Sequence, residues 1–215
     1  MVEEHGALMN RIYRHQRYIY DFTRKYFLLG RDRILREMVM EENSSVLEIG
    51  CGTGRNLAKL ARKRRDLNLY GLDASSVMLD TAGRKLGDRA VLRHALAGDF
   101  SPAETFGREE KFDTILFSYT LSMIPDWQGS LDNALRHLAD DGRLYIVDFW
   151  DQEGLPRTFR RLLTWWLRIF HVIYRPELIE RLEHLGENDV TGVNIQSIAG
   201  RYAFVASISK VLPAD

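Results

Sequence analysis

The segment of this sequence best suited to binding a ligand is a turn with glycine at every second position. It reads Glu-Ile-Gly-Cys-Gly-Thr-Gly from 48 to 54, between an apolar run typical of a strand and a segment typical of a helix. Because glycine lacks a side chain, a ligand can lie against the backbone N–H groups of such a turn. The candidate ligand-binding residues in this glycine turn are Glu48, Gly50, Cys51, Gly52 and Gly54.

The spacing of these glycines differs from two common phosphate-binding motifs. A dinucleotide fingerprint requires G-x-G-x-x-G, and Arg55 stands at the position of its last glycine. A P-loop ends in Gly-Lys-Ser or Gly-Lys-Thr, whereas Gly54 is followed by Arg55 and Asn56. Residues outside the turn must therefore indicate what it binds.

Polar and aromatic residues also follow the next three predicted strands. Asp73 ends the second strand, where an acid can accept both hydroxyls of a ribose. Asp99 and Phe100, after the third strand, offer an acceptor for an exocyclic amine and a ring for an adenine face. Ser118 and Tyr119 end the fourth strand. All five are expected to meet the glycine turn in one crevice beyond the carboxyl ends of the strands.

Alternating strands and helices are needed to position these residues. Strand-like runs occur at 46–49, 67–72, 90–93, 112–117 and 144–147, and helix-like segments at 56–63, 75–86 and 129–138. This alternation predicts an α/β, Rossmann-like, doubly wound sheet of seven mostly parallel strands. Two runs near the end, 194–198 and 202–208, are separated by three residues and predict an antiparallel edge hairpin.

Length and composition favour a single domain. The 215 residues contain no internal repeat or flexible linker, and 45% of them are hydrophobic, which excludes a disordered or collagen-like chain. We expect an N-terminal helical cap at 1–40, a ligand-binding core at 45–150, amphipathic helices at 155–185 and the terminal hairpin at 190–210.

The charge balance and the single cysteine restrict partners and location. Thirty basic and thirty acidic residues argue against a non-specific nucleic-acid binder. Because Cys51 is the only cysteine, an intrachain disulfide and a cysteine-based zinc site are excluded. The acidic start lacks the apolar stretch of a signal peptide, and no run is long enough to span a membrane. We expect a cytoplasmic protein without a metal or nucleic-acid partner.

A basic amphipathic helix is predicted after residue 155. Between Arg157 and Arg175 there are five arginines and no acid. At about 100° per residue the arginines share one face, opposite an apolar face that includes Leu162. Such a helix either packs on the sheet with a solvated arginine face or lies at a membrane surface. The candidate membrane or substrate residues are Trp127, Arg157, Arg160, Arg161, Trp165, Trp166 and Arg168.

These motifs together resemble those of the class I S-adenosylmethionine-dependent methyltransferases. The resemblance implies S-adenosylmethionine as cofactor, with the glycines beside its methionine part, Asp73 at the ribose, and Asp99 with Phe100 at the adenine. It further implies contacts with the cofactor from Ala74, Met78, Ser118 and Tyr119. Tyr20 and Arg31 belong to the N-terminal segment, and a helix of this segment that caps the crevice would bring them to the cofactor. Arg31 would lie near the methionine carboxylate, a group that suits the guanidinium.

The end segments resemble those of the bacterial betaine-lipid N-methyltransferases, through residues 13–17, 27–33, 121–127, 147–149, 151–152 and 154–156, whereas Trp150 stands where the family is expected to have a small residue. The resemblance implies successive methylation of diacylglyceryl-homoserine at the inner face of the membrane, with the enzyme that supplies this lipid as a further partner. Phosphatidylethanolamine or a small soluble amine are alternative acceptors. A catalytically silent cofactor-binding partner protein is the alternative from another class.

Three residues are candidates for a direct part in methyl transfer. Asp148 follows the fifth strand and could accept the proton or orient the ammonium group. His171 is another possible acceptor. Tyr119, together with Trp127, could hold a methylammonium group by cation–π contact. The alternatives are a helix cap for Asp148, a surface position for His171 and core packing for Trp127.

Overall fold

The computed structural model describes residues 28–169, 174–187 and 191–210. Its strands are β1 (Ser45–Ile49), β2 (Asn68–Asp73), β3 (Ala90–His94), β4 (Phe112–Ser118), β5 (Leu138–Phe149), β6 (Thr191–Ile198) and β7 (Ala203–Lys210). Its helices are α1 (Arg31–Glu37), α2 (Arg55–Lys63), α3 (Ser76–Leu86), α4 (Trp127–Arg136), α5 (Arg157–Ile169) and α6 (Pro176–Gly186).

The seven strands form one sheet in the order β3-β2-β1-β4-β5-β7-β6. Strands β1 to β5 are parallel, and β7 runs antiparallel to both β5 and β6. The predicted Rossmann-like sheet and its antiparallel edge hairpin are therefore confirmed. In this order β2 lies on one side of β1, and β4 lies on the other. The connections that leave β1 and β4 therefore run to opposite sides of the sheet, which opens a crevice beyond the carboxyl ends of these two strands.

The central strands are apolar on both sides because helices cover both faces of the sheet. All five residues of β1 are buried. Val46 packs into one core with α1, α2, α3 and α5, whereas Leu47 and Ile49 pack into the other with α4 and α6. Continuous burial of this kind is expected of parallel strands between two helical layers.

Strand β5 is longer than its sequence indicates. The prediction covered 144–147, but Leu138 already pairs with Phe112, and Arg143 with Thr114. Residues 139–142 therefore form a bulge, in which a side chain at Gly142 would approach the carbonyl oxygens of Ala139 and Asp113 at about 3 Å. The polar residues of the bulge interrupt the apolar pattern, which hides the first part of the strand.

Of the predicted N-terminal helical cap, the described part is helix α1 with the residues just before it. Gly30 caps α1 in the left-handed conformation, with φ of 85°. A side chain at this position would collide with Ile198 and lie 3.2 Å from Val147. The start of α1 is thus seated directly on the sheet, at β5 and β6.

The contact at Gly30 predicts a loss of stability on substitution by alanine. Gly30→Ala and the control Gly107→Ala, with φ of 67°, should each lose about 1–2 kcal/mol from the strained backbone. Only Gly30→Ala also introduces a collision, because nothing lies within 4 Å of the added carbon at Gly107. We expect a further loss of about 1–3 kcal/mol there, measured by urea unfolding. Equal losses in the two variants would contradict the seating of α1.

Candidate functional site

A cavity of about 360 Å³ lies beyond the carboxyl ends of β1, β2 and β4. Its volume is typical of a site for a small molecule. The predicted site residues that line it are Gly50, Gly52, Asp73, Ala74, Met78, Asp99 and Tyr119. These come from four separate segments of the chain, so the sheet does bring the main sequence signals together.

Backbone hydrogen bonds fix the glycine turn to the end of β2. The N–H groups of Gly50 and Cys51 both donate to the carbonyl oxygen of Leu72, at 2.8 and 3.0 Å. Gly50 has a φ of 69°, and a side chain there would meet Thr120 at the end of β4. Glycine is therefore required at position 50, where the turn passes between two strand ends.

The carboxylate of Asp73 joins the glycine turn to the start of α3. One oxygen, Oδ2, accepts the N–H of Gly52 at 2.8 Å, and the other, Oδ1, accepts the N–H of Ser75 at 2.9 Å. The residue is only 9% exposed, yet it lines the cavity. Because each carboxylate oxygen can accept more than one hydrogen bond, Asp73 retains capacity for a ligand's hydroxyls.

Two residues of the glycine turn have roles other than those predicted. A side chain at Gly54 would press on Ala82 and Leu86, so this glycine permits α2 and α3 to pack closely. The thiol of Cys51 is buried in the core between the sheet and those helices. Neither residue lines the cavity, and their contacts with a ligand stay predictions.

Glu48 lies beneath the turn rather than in the cavity wall. It is 2% exposed, and its Oε1 accepts a hydrogen bond from Nδ2 of Asn56 at 2.7 Å. Burial raises the pKa of Glu48 to about 7, although the charge of Arg31 and the bond from Asn56 act to lower it. The carboxyl group is thus partly protonated at neutral pH.

Arg31, the first residue of α1, is close to this buried acid. Its positive charge acts to lower the pKa values of both Glu48 and Tyr119, so the guanidinium lies within electrostatic reach of both groups. The next residue, Asp32, pairs with Arg55 and Lys59 of α2 at 3.0 and 2.6 Å. These ion pairs attach the start of α1 to the helix that follows the glycine turn.

Of the two site residues predicted after the third strand, Asp99 reaches the cavity and Phe100 does not. Asp99 lines the cavity, whereas Phe100 is 2% exposed and packs on His137 in the core, with ring centroids 5.3 Å apart. The ring of Phe100 therefore does not line the cavity, and its contact with adenine stays a prediction. Apolar lining comes instead from residues that the sequence analysis missed, namely Leu96, Ala97, Met123, Ile124 and Pro125. They lie in loops, where no hydrophobic periodicity marks them.

Tyr119 forms part of the cavity wall in a strained conformation. Its φ is 56°, and its N–H donates to the carbonyl oxygen of Val147 at 2.7 Å. The phenol donates to the carbonyl oxygen of Leu29, and the ring packs edge-on against Phe149. Burial raises the pKa of Tyr119 well above its usual range. The phenol therefore stays protonated near neutral pH and cannot serve there as a base.

Asp148, the predicted proton acceptor, is enclosed in the structure. It is 1% exposed, its Oδ2 accepts the N–H of Ser122 at 3.0 Å, and its Oδ1 accepts the N–H of Phe149 at 2.8 Å. Burial raises its pKa. Asp148 does not line the cavity and instead holds the loop 119–126 that forms one cavity wall.

Several other predicted residues also lie away from the cavity. Ser118 is buried at the end of β4, and Trp127 is buried in the core at the first position of α4; neither lines the cavity, and their ligand and product contacts stay predictions. Arg157, Arg160, Arg161 and Trp165 are exposed on α5. Tyr20, His171 and the side chains of Trp166 and Arg168 lie outside the described residues.

The described ranges contain neither a metal-binding cluster nor a membrane-spanning helix. Within them, no group of three or more His, Cys, Asp or Glu side chains is arranged to hold a metal ion. None of the helices described is both long and apolar enough to cross a bilayer.

The family model of a methyltransferase domain matches residues 13–191. An uncharacterized methyltransferase of Geobacillus thermodenitrificans is 31% identical over 145 residues, 65% of this chain and 63% of that protein. A demethylmenaquinone methyltransferase of Thermotoga maritima is 31% identical over 134 residues, 60% of this chain and 56% of that protein. The chain therefore spans less than two thirds of either relative's length.

Solved structures show the same fold. The plantazolicin methyltransferase BpumL, in complex with a pentazolic desmethylPZN analog and SAH, has a TM-score of 0.69 at 16% identity and covers 97% of this chain and 98% of its own. The DhpI–SAH complex has a TM-score of 0.66 at 21% identity, covering 96% and 98%.

The raised pKa of Glu48 predicts a pH-dependent stability. The folded state holds this proton more tightly than the unfolded chain, whose carboxyl has a pKa of 4.5, so the free energy of unfolding should fall as pH rises from 4.5 to about 7. Between pH 4.5 and 8 Glu48 should lower the free energy of unfolding of the parent by about 3 kcal/mol. Glu48→Gln should abolish this decrease, which is measured by urea unfolding across that range. The exposed Glu109→Gln is the control and should keep the parent's slope. An unchanged slope in Glu48→Gln would contradict the assignment.

Proposed function

We propose, since the chain belongs to the methyltransferase domain family, that it binds S-adenosylmethionine in the cavity and transfers the methyl group to an amino group of a lipid. The observation that carries the cofactor assignment is Asp73, which faces the cavity while backbone N–H groups of the glycine turn and of α3 hold its carboxylate. A fixed acid at the end of β2 is suited to accept both hydroxyls of a ribose.

The other cavity residues fit the remaining parts of this cofactor. Gly50 lines the cavity, and without a side chain at this position the methionine part could approach the backbone closely. Asp99 is positioned to accept a hydrogen bond from the adenine amine, with Ala74 and Met78 as neighbouring wall. Arg31, beside the same turn, would pair with the methionine carboxylate.

Bound S-adenosylmethionine supplies an electrophilic methyl group on a sulfonium. The chain's own contribution is alignment, which can provide several kcal/mol. Loop 119–126 forms the wall beside the end of β4, and its residues Met123, Ile124 and Pro125 contribute apolar surface to the cavity lining. An α-amino group has a pKa near ~8, so a neutral fraction is present without a strong base, in keeping with the burial of Asp148.

For the acceptor we propose the amino group of diacylglyceryl-homoserine, methylated in succession to the trimethyl betaine lipid. The support is the resemblance of the end segments to the betaine-lipid N-methyltransferases. The enzyme would then act peripherally at the inner face of the membrane. Phosphatidylethanolamine and small amines remain alternatives within the same chemistry, and a silent cofactor-binding partner remains the non-catalytic alternative.

A quinone is the second candidate acceptor. It is favoured by the 31% identity to a protein named demethylmenaquinone methyltransferase, together with the apolar wall of the cavity. Such an acceptor would be methylated at a ring carbon and would not pass through a quaternary product.

The cofactor assignment predicts that Asp73→Asn weakens cofactor binding. The substitution replaces a charged acceptor by a neutral one, and we expect the Kd for S-adenosylhomocysteine to rise about 10–100-fold, measured by titration calorimetry. The control is Asp126→Asn, because Asp126 also lines the cavity and asparagine can still cap α4 through the N–H of Gly129. Equal effects of the two substitutions would contradict the role of Asp73.

The acceptor assignment predicts which lipid gains mass. The purified protein is incubated with S-adenosylmethionine and mixed micelles of diacylglyceryl-homoserine, phosphatidylethanolamine or demethylmenaquinone, and each lipid is followed by mass spectrometry. We expect additions of one, two and three methyl groups to the homoserine lipid alone. Methylation of another lipid would replace the acceptor, whereas cofactor binding without turnover on any lipid or amine would favour the silent partner.

A further inference from the structure

Helix α5 presents apolar side chains to solvent. Leu162 and Trp165 are each 62% exposed, more than any other large hydrophobic residue whose side chain the structure describes. Two other residues of the helix, Leu163 and Leu167, are only 4% and 6% exposed and pack on the sheet. Since these inner positions already attach α5 to the core, the outer apolar residues serve no packing purpose within the described structure.

The orientation of α5 differs from the sequence expectation. Leu162 was expected on the inward face opposite the arginines. At about 100° per residue, Leu163 and Leu167 define the inner side, and Trp165 points directly away from it. The outward surface is thus divided into an apolar stripe of Leu162 and Trp165 and a neighbouring basic stripe that includes Arg161.

The basic stripe lacks internal charge compensation. Arg157, Arg160 and Arg161 are all exposed, and α5 contains no acidic residue. No ion pair joins any of these arginines to an acid among the described residues. The stripe therefore presents an uncompensated positive surface beside exposed apolar side chains.

We propose that the exposed side chains Arg157, Arg160, Arg161, Leu162 and Trp165 of α5 dock on an anionic bilayer surface, with Arg160 on the side of the helix next to Leu167. Arginines are attracted to anionic headgroups, while tryptophan and leucine insert at the boundary between headgroups and acyl chains. Apolar and basic stripes side by side match that boundary better than they match bulk water.

The position of α5 relates this docking face to the cavity. The helix begins after the loop that leaves the carboxyl end of β5, at the same edge of the sheet beyond which the cavity lies. Thr164 contacts Gln152 of that loop through a hydrogen bond of 3.4 Å. A docked α5 therefore holds the cavity edge of the sheet close to the membrane. The inference rests on the proposed function for its lipid acceptor, but the docking itself is independent of turnover.

The test is co-sedimentation of the full chain with vesicles. The vesicles contain phosphatidylcholine alone or phosphatidylcholine with phosphatidylglycerol at about 7:3, with no cofactor or acceptor present. We expect the parent to bind the anionic vesicles about tenfold or more tightly than the neutral ones. Replacing all three arginines by glutamine, or combining Leu162→Ser with Trp165→Ala, should each reduce binding to the anionic vesicles about tenfold.

A matched control shows whether vesicle binding depends on this surface of α5 or only on the net charge of the protein. The triple variant Arg62→Gln, Lys63→Gln and Arg65→Gln removes three exposed positive charges near the end of α2 and should stay within about twofold of the parent. Equal losses in both triple variants, or no loss in the α5 variants, would overturn the proposal. So would a parent dimer, seen by sedimentation velocity, that becomes monomeric in the Leu162 and Trp165 variant.

Failure of the docking face and failure of the proposed function give different results. Each variant is also titrated with S-adenosylhomocysteine, whose affinity should not change because none of the five residues lines the cavity. Anionic vesicle binding without methylation of any lipid would reject the lipid acceptor and leave the docking face. Lipid methylation at parental rates by variants that no longer bind vesicles would reject the docking role alone.

Discussion

The site depends above all on one carboxylate that accepts two backbone N–H groups from different segments. Asp73 holds Gly52 with one oxygen and Ser75 with the other, so the glycine turn after β1 and the first turn of α3 keep a fixed relation. The carbonyl oxygen of Leu72 adds two bonds to the same turn. Hydrogen bonds to a charged acceptor are among the stronger ones in proteins. The cavity is therefore shaped before any ligand arrives.

The cavity wall formed by Tyr119 depends on a strained backbone conformation, and the surrounding contacts must offset its energetic cost. Tyr119 occupies the left-handed region, at a cost of order 1 kcal/mol. Its backbone bond to Val147, its packing on Phe149 and its phenol's bond to Leu29 all support that conformation. Through Leu29, the same residue brings the segment before α1 to the cavity. The wall and residues 28–30 are thus parts of one arrangement.

The fold was predictable because its signals are local, whereas the direction of several side chains was not. Alternating apolar runs and the glycine spacing indicate strands, helices and the turn, and they correctly place Asp73 and Asp99 at the cavity. Phe100 lies in the loop after β3, and Trp127 is the first residue of α4. At such positions hydrophobic periodicity does not show whether a side chain faces the core or the cavity. On α5, periodicity identified an amphipathic helix, but only the packing of its inner leucines showed that the remaining surface is both basic and apolar.

The most direct measurement of the central claim is a crystal structure of the protein with S-adenosylhomocysteine. The account predicts the ligand in the cavity, with its ribose hydroxyls within about 2.5–3.2 Å of the Asp73 carboxylate and its amino-acid part against Gly50. The bonds from Gly52 and Ser75 to Asp73 should persist unchanged. A ligand bound elsewhere, or one whose ribose makes no contact with Asp73, would contradict the account.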